Sequence, residues 1–164
     1  MRTKRLTELA LLTSLALIIF VIELRIPDLV PIPGVKLGLA NIITVYAVFR
    51  YTAKETAMIV FARILLGAMF AGRPSALLYS AAGAALCLLG MLFLRRFIPQ
   101  KWIWLSSVAG AMLHNTGQIL AAFCIMKTPT IFAYYPVLLF SGSIAGAFTG
   151  ACAQLVLMRM NKDA

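Results

Sequence analysis

The sequence is poor in charge, and above all in negative charge. Charged residues make up 12% of its 164 residues, whereas soluble domains usually contain about 25%. Only five residues are acidic, against fifteen basic ones, and the only aspartates, Asp28 and Asp163, lie far apart. An enzyme that holds a diphosphate through magnesium needs clustered carboxylates as metal ligands. The chain lacks such a cluster, so we expect that it is not itself an enzyme.

Other motifs that carry chemistry are also missing. No Gly-Lys-Ser/Thr loop is present, so the chain cannot hydrolyse ATP by that route. The single histidine, His114, has neither a Ser/Asp pair nor a set of metal ligands to act with. The cysteines, Cys87, Cys124 and Cys152, have no CxxC spacing, and we interpret them as small apolar core residues. We therefore expect no catalytic residue, no metal and no cofactor.

Apolar residues dominate what is present. They make up 62% of the chain, and the mean hydropathy is +0.95. A helix needs about 20 residues to cross a bilayer, and the second of the six apolar segments is shorter than that. We predict one all-α transmembrane domain over residues 1–164, a polytopic bundle of six transmembrane helices. Their predicted limits are 6–26, 36–51, 54–72, 74–94, 105–126 and 135–159.

The basic residues predict an orientation for this bundle. Cytoplasmic segments carry an excess of Lys and Arg, and placing both termini inside gives a ten-to-five distribution. We therefore predict a multi-pass protein of the cell membrane with both termini cytoplasmic, and we interpret the net charge of +10 as a topology signal, not as a nucleic-acid surface. The inner set is Arg2, Lys4, Arg5, Arg50, Lys54, Arg95, Arg96, Lys101, Arg159 and Lys162.

Several polar residues interrupt the apolar segments. A cation at the bilayer centre costs about 2.5–3.5 kcal/mol even on lenient scales, so Arg63 must face the bundle interior. There it could pair with Glu23 or bind an anionic ligand. His114 and Gln118 are one turn apart on one helix face, and Asn41 lies in the same predicted half of the membrane. We predict that these groups line a pocket; the alternative is a satisfied polar core.

The outer side of the predicted bundle favours an anion. Helices two, four and six would begin there, with Lys36, Arg73 and Lys127 near their positive dipole ends. The alternative is that these cations only reach the membrane interface. The segment 25–38, RIPDLVPIPGVKLG, contains three prolines and two glycines. Such a loop is stiff, and residues 27–36 could cover the pocket as a lid, with Pro33, Gly34 and Gly38 shaping it.

Three further features concern packing. Asn115 points about 100° away from His114 on a helix, so it could line the pocket or bond a neighbouring helix. Small residues repeat every four positions in two helices and allow close backbone approach. In the sixth segment they are Gly142, Gly146 and Gly150, where packing within the chain is expected. In the first they are Ala10 and Ser14, which could also contact a partner subunit.

The segments VPIPGVKLGLAN, ARILLGAMFAG and GAMLHNTGQ resemble the heptaprenyl diphosphate synthase component I family, also called the Gx transporter family. The resemblance spans nearly the whole chain. It implies six membrane helices and a likeness to the substrate-binding S components of energy-coupling-factor (ECF) transporters. Those proteins keep both termini inside, bind ligand near the outer face and offer small residues of the first helix to a coupling subunit. The residues carried over are Pro33, Gly34, Lys36, Gly38, Asn41, Arg63, Gly67, His114, Asn115 and Gln118.

The leading functional prediction is a substrate-binding subunit for uptake of a small organic molecule, with an anionic one favoured. Lys36, Arg63 and Arg73 would supply charge, and the polar residues of helices two and five would supply hydrogen bonds. A coupling transmembrane subunit and separate ATPase subunits would supply energy. An alternative is a non-catalytic membrane accessory of heptaprenyl diphosphate synthase or quinone biosynthesis, which would recruit a soluble prenyl diphosphate synthase through residues 95–104. A third possibility is a solitary facilitator.

Overall fold

The computed structural model describes residues 3–26, 36–72 and 74–162, with the side chains of 74–76 and 161–162 left aside. Within these ranges the chain is helical and contains no strand, which confirms the all-α prediction. Two short 3-10 helices, Gln100–Trp102 and Pro129–Tyr134, precede the last two α-helices. The six α-helices are α1 (Thr3–Glu23), α2 (Asn41–Arg50), α3 (Ala53–Ala71), α4 (Pro74–Leu94), α5 (Ile103–Met126) and α6 (Tyr135–Lys162).

Four helical stretches are long and apolar enough to cross a membrane. They are Thr3–Glu23, Leu77–Leu94, Gln100–Met126 and Pro129–Met160. The helix α2 has ten residues, about 15 Å at 1.5 Å per residue, which is half of a typical hydrocarbon core. The helix α3 has 19 residues but includes Lys54, Glu55 and Arg63. The six predicted segments are therefore six helices, of which four have the length and composition of a membrane span.

The predicted start of the second helix, residue 36, is wrong. The helix begins at Asn41 because the preceding residues form a turn in which the Asn41 amide donates to the Gly38 carbonyl at 2.9 Å. Gly38 has a φ of +79°, a left-handed conformation that a helix does not contain. The first helix also ends earlier than predicted, at Glu23 instead of residue 26. The sequence pattern continued through both turns because most of their residues are apolar.

Local signals fix both ends of α3. At its start the Thr52 hydroxyl accepts from the Glu55 amide at 3.3 Å, and the Glu55 carboxylate accepts from the Thr52 amide at 2.9 Å. This reciprocal capping satisfies backbone donors that have no partner inside the helix. At its end Gly72 adopts a left-handed φ of +63°, the usual way of stopping a helix. Arg63 is thereby held near the middle of α3.

Glycines allow α5 to pack between α4 and α6. A methyl group at Gly117 would lie 2.5 Å from the Ala82 carbonyl oxygen, so α4 and α5 touch through their backbones there. On the other side, a methyl at Gly146 would lie 2.8 Å from the Ala111 Cβ, and one at Gly150 would lie 2.5 Å from the Ser107 Cβ. The predicted packing of the α6 glycines within the chain is confirmed, against α5.

The helices alternate in direction, which gives the bundle two distinct ends. We call the end with the starts of α1, α3 and α5 the terminal face, and the other end the opposite face. At the terminal face the Arg5 guanidinium donates to both carboxylate oxygens of Glu55, at 2.8 and 3.1 Å. It also lies 4.1 Å from the centre of the Tyr51 ring. One arginine thus joins α1, α3 and the end of α2.

Replacing Gly150 with Leu is expected to lower the free energy of unfolding by about 1–3 kcal/mol, because the added atoms would overlap α5. Thermal melting of the purified protein in detergent measures this change. The control is Ala151→Leu, at the neighbouring exposed position of α6. Its free energy of unfolding should stay within about 0.5 kcal/mol of that of the wild type. Equal melting of the two variants would contradict the packing described here.

Candidate functional site

Five buried polar side chains from four helices lie between the middle of the bundle and the opposite face. Their exposed fractions are 1–6%. All of them were singled out from the sequence as polar interruptions of apolar segments. We call them the polar cluster: Glu23 at the end of α1, Asn41 at the start of α2, Arg63 in α3, and His114 and Gln118 in α5.

Arg63 is the charge at the centre of the cluster. It is 5% exposed and lies near Glu23 on α1, Cys87 on α4 and His114 on α5. Its Nε and Nη2 atoms nevertheless have no hydrogen-bond partner among the described residues. An arginine presents several donors in a planar fork. This one therefore reaches three neighbouring helices while leaving hydrogen-bonding capacity unused.

Glu23 has a structural role that the sequence did not reveal. One carboxylate oxygen accepts from the Gly38 backbone amide at 2.6 Å, and this bond ties the end of α1 to the turn before α2. The other oxygen, Oε2, has no partner within the described ranges. In the described structure, ion pairs shorter than 4.0 Å join Arg5 to Glu8 and to Glu55. No such pair joins Glu23 to Arg63 in these residues. Glu23 therefore uses one carboxylate oxygen to hold the turn before α2.

The His114 imidazole lies between two glycines. A methyl group at Gly38 would lie 3.1 Å from His114 Cδ2 and 2.8 Å from the Asn41 side-chain nitrogen. A methyl at Gly83 on α4 would lie 2.9 Å from His114 Cε1 and Nδ1. The two glycines leave just enough room for the ring, while Nδ1 has no partner in the described parts of the chain. Sequence reasoning missed Gly83, because glycine is ordinary in apolar helices.

Asn115 and Gln118 differ in their surroundings although both are buried. The Asn115 side chain donates to the Leu138 carbonyl on α6 at 2.5 Å, and it contacts Gly142 so closely that a methyl there would overlap it. It therefore bonds a neighbouring helix, one of the two interpretations left open by the sequence. The side-chain carbonyl oxygens of Asn115 and Gln118 both have no partner among the described residues, and no hydrogen bond from Gln118 corresponds to the one that Asn115 donates. Gln118 lies one turn from His114, on the same face of α5.

The sequence analysis did not anticipate the buried hydroxyl residues, five of which are Thr44, Thr56, Ser106, Ser107 and Thr149. Thr44 on α2 and Ser106 on α5 are 3% and 0% exposed, and the Ser106 hydroxyl has no partner in the described structure. Ser106 lies two turns from His114 toward the terminal face, so the unpaired groups extend beyond the polar cluster. Small hydroxyl side chains often bond the backbone of their own helix, and nothing in the sequence distinguishes Ser106 from such a residue.

The remaining predicted site residues lie outside the polar cluster. The Lys36 ammonium donates to the Ile26 carbonyl at 3.1 Å and thereby joins the two described ends of the segment 27–35. Ala10 and Ser14 are exposed on α1, where the Ser14 hydroxyl donates to the Ala10 carbonyl at 2.9 Å. The predicted residues Pro33, Gly34 and Arg73, and the proposed lid apart from Lys36, fall outside the described residues.

The polar cluster combines one guanidinium and one carboxylate with an imidazole and two amides. In the described residues no group of three or more His, Cys, Asp or Glu side chains could hold a metal ion. A buried polar atom without a partner costs about 1–3 kcal/mol. The atoms of Glu23, Asn41, Arg63, His114 and Gln118 that have no partner among the described residues are therefore candidates for contact with water or a bound molecule. A small polar molecule in contact with these atoms would remove that cost.

Asn115→Leu and Gln118→Met test whether the two buried amides differ as their hydrogen bonds indicate. Both changes replace an amide with an apolar group of similar size. Asn115→Leu should lower the free energy of unfolding by about 1–3 kcal/mol, because a hydrogen bond between α5 and α6 is lost. Gln118→Met should be neutral or stabilising in ligand-free protein, because it removes an unpaired oxygen. Thermal melting in detergent measures both changes. A larger loss of unfolding free energy for Gln118→Met than for Asn115→Leu would refute the difference between the two amides.

Comparison with known proteins places the chain in a family. The model of the family described as heptaprenyl diphosphate synthase component I matches residues 12–156, a range that includes the whole polar cluster. The comparisons with curated proteins and with solved structures found no match. Because the family model covers most of the chain, this protein belongs to the heptaprenyl diphosphate synthase component I family.

Proposed function

We propose that this protein is the membrane-embedded substrate-binding subunit of an ECF-type uptake transporter for a small organic anion. The observation that supports this proposal is the set of unpartnered polar atoms in the polar cluster. Burying such atoms costs free energy unless a ligand completes their hydrogen bonds. In membrane proteins, buried ionisable residues generally mark paths or sites for polar substrates.

The charge of the cluster favours an anionic ligand. The Glu23 carboxylate is already engaged by the Gly38 amide, whereas two nitrogens of Arg63 remain unpaired in the described structure. A guanidinium fork binds a carboxylate or phosphate through two parallel hydrogen bonds. Arg63 would hold the anionic group of the ligand in this way. Asn41, His114 and Gln118 would orient the rest of the molecule.

The topology proposed for transport uses all six helices as membrane segments, with both termini cytoplasmic in the cell membrane. The polar cluster would then lie in the outer half of the bilayer. Lys36 and Arg73 would attract the anion near the outer surface, and residues 27–36 would cover it. Ala10 and Ser14, on the exposed side of α1, would contact a coupling subunit that transmits the work of separate ATPase subunits.

A second candidate function follows from the family description. A chain named as a component of heptaprenyl diphosphate synthase could be a non-catalytic membrane accessory of that enzyme. The segment 95–104 supports this alternative, because it places Arg95, Arg96 and Lys101 next to two exposed tryptophans at the terminal face. In this function the polar cluster would be a structural element, and the partner would bind at the terminal face.

Native mass spectrometry of gently purified protein tests the transport proposal. We expect wild-type protein to carry a bound small molecule and Arg63→Gln to lose it, because the fork that binds the anion is removed. The control is Lys54→Gln, which removes an exposed cation from the other end of the same helix and should retain the molecule. Association of a soluble prenyl diphosphate synthase that is unaffected by Arg63→Gln, without any bound small molecule, would support the accessory function instead.

Gly38→Ala tests the same site without removing a polar group. The added methyl would lie within about 3 Å of Asn41 and His114, so we expect loss of the bound molecule. The control is Gly72→Ala, which has the same type of left-handed strain, about 1–2 kcal/mol, but open space around it. Gly72→Ala should melt earlier than wild type and still carry the molecule. Loss of the molecule in both variants would show that strain alone is responsible.

A further inference from the structure

We propose a second binding site, at the terminal face, for the phosphate head of an amphiphilic molecule. A cavity of about 450 Å³ opens where α2 ends and the chain passes from α4 to α5. Its lining includes three cationic residues, Arg50, Arg95 and Arg96, and three apolar residues, Phe49, Ile98 and Pro99. Three arginines lining a single cavity predict an oxyanion as ligand.

Only one of the three arginines is needed to complete the fold. Arg95 is half-buried and donates to the carbonyl oxygens of Val48 and Tyr51, at 3.0 and 3.5 Å. These carbonyls belong to the end of α2, where the last turn of a helix lacks intrahelical donors and carries partial negative charge. Arg50 and Arg96 are exposed, and neither forms an ion pair within the described chain.

No carboxylate among the described residues neutralises this cavity. The acidic residues described at the terminal face are Glu8 and Glu55, and both are bound to Arg5. Arg5 itself lies over the Tyr51 ring and is absent from the cavity lining. The positive potential of Arg50, Arg95 and Arg96 is therefore available to a ligand.

The apolar lining residues and their surroundings indicate a ligand with a hydrocarbon portion. Phe97, Trp102 and Trp104 are exposed beside the cavity, at 68%, 46% and 37%. Tryptophan is enriched at the level of lipid head groups, so these side chains place the cavity at a membrane–water interface. The phosphate head of such a ligand would contact the arginines, and its hydrocarbon chain would contact the apolar lining residues. A membrane phospholipid and a prenyl diphosphate share this chemistry.

Binding measurements on detergent-purified full-length protein test the site. The probes are phosphatidylglycerol, phosphatidylcholine, farnesyl diphosphate and inorganic pyrophosphate, each titrated and followed by native mass spectrometry. The test variant is Arg50→Gln/Arg96→Gln, which leaves Arg95 to cap α2. The control is Lys54→Gln/Arg159→Gln, which removes two exposed cations outside the cavity. Each lost charge-assisted contact should weaken binding about tenfold or more in the test variant.

The outcomes separate the two sources of phosphate. Preference for phosphatidylglycerol over phosphatidylcholine, lost in the test variant and kept in the control, supports the site with a membrane lipid as ligand. Binding of farnesyl diphosphate with the same dependence on Arg50 and Arg96, and no lipid preference, supports it with a prenyl diphosphate. Equal weakening in both variants, or no binding of any probe, overturns the proposal. Capture of an acidic soluble protein by these arginines, with no phosphate compound bound, also overturns it.

Discussion

The burial of one guanidinium group constrains this molecule more than any other feature. A buried guanidinium loses its hydration, and this costs free energy unless neighbouring groups compensate for the loss. The Arg63 side chain lies inside the bundle, 5% exposed, near Glu23, Cys87 and His114. The rotation of α3 is thereby fixed, and the polar residues of the neighbouring helices are arranged around a charge that they do not fully satisfy.

Close helix packing makes this arrangement possible. The glycines of α6 and the pair Gly83 and Gly117 bring α4, α5 and α6 into backbone contact. The same packing gives the polar residues of α5 two different roles. Asn115 binds the α6 backbone and stabilises the bundle, whereas His114 lies between Gly83 and Gly38 with an unpaired nitrogen.

The two ends of the bundle have separate chemistry. Toward the opposite face, buried donors and acceptors are enclosed by α1, α2, α3 and α5. At the terminal face, arginines and apolar side chains line an open cavity. The first arrangement suits a small polar molecule removed from water, and the second suits an amphiphile at an interface. A transport subunit would depend on the polar cluster, whereas a membrane accessory of prenyl diphosphate synthesis would depend on the terminal face.

The apolar runs of the sequence are enough to predict the helical segments, because a long apolar run allows little else in a membrane. The sequence also identified the residues whose burial would be costly, since Arg63, His114 and Gln118 interrupt those runs. Three features appear only in the tertiary structure: the turn at Gly38, the bond from its amide to Glu23, and the bond from the Asn115 side chain to α6. These depend on contacts between residues that are distant in the chain. Composition and periodicity describe only a residue's own helix, so they give the face a side chain occupies but not the neighbour it meets.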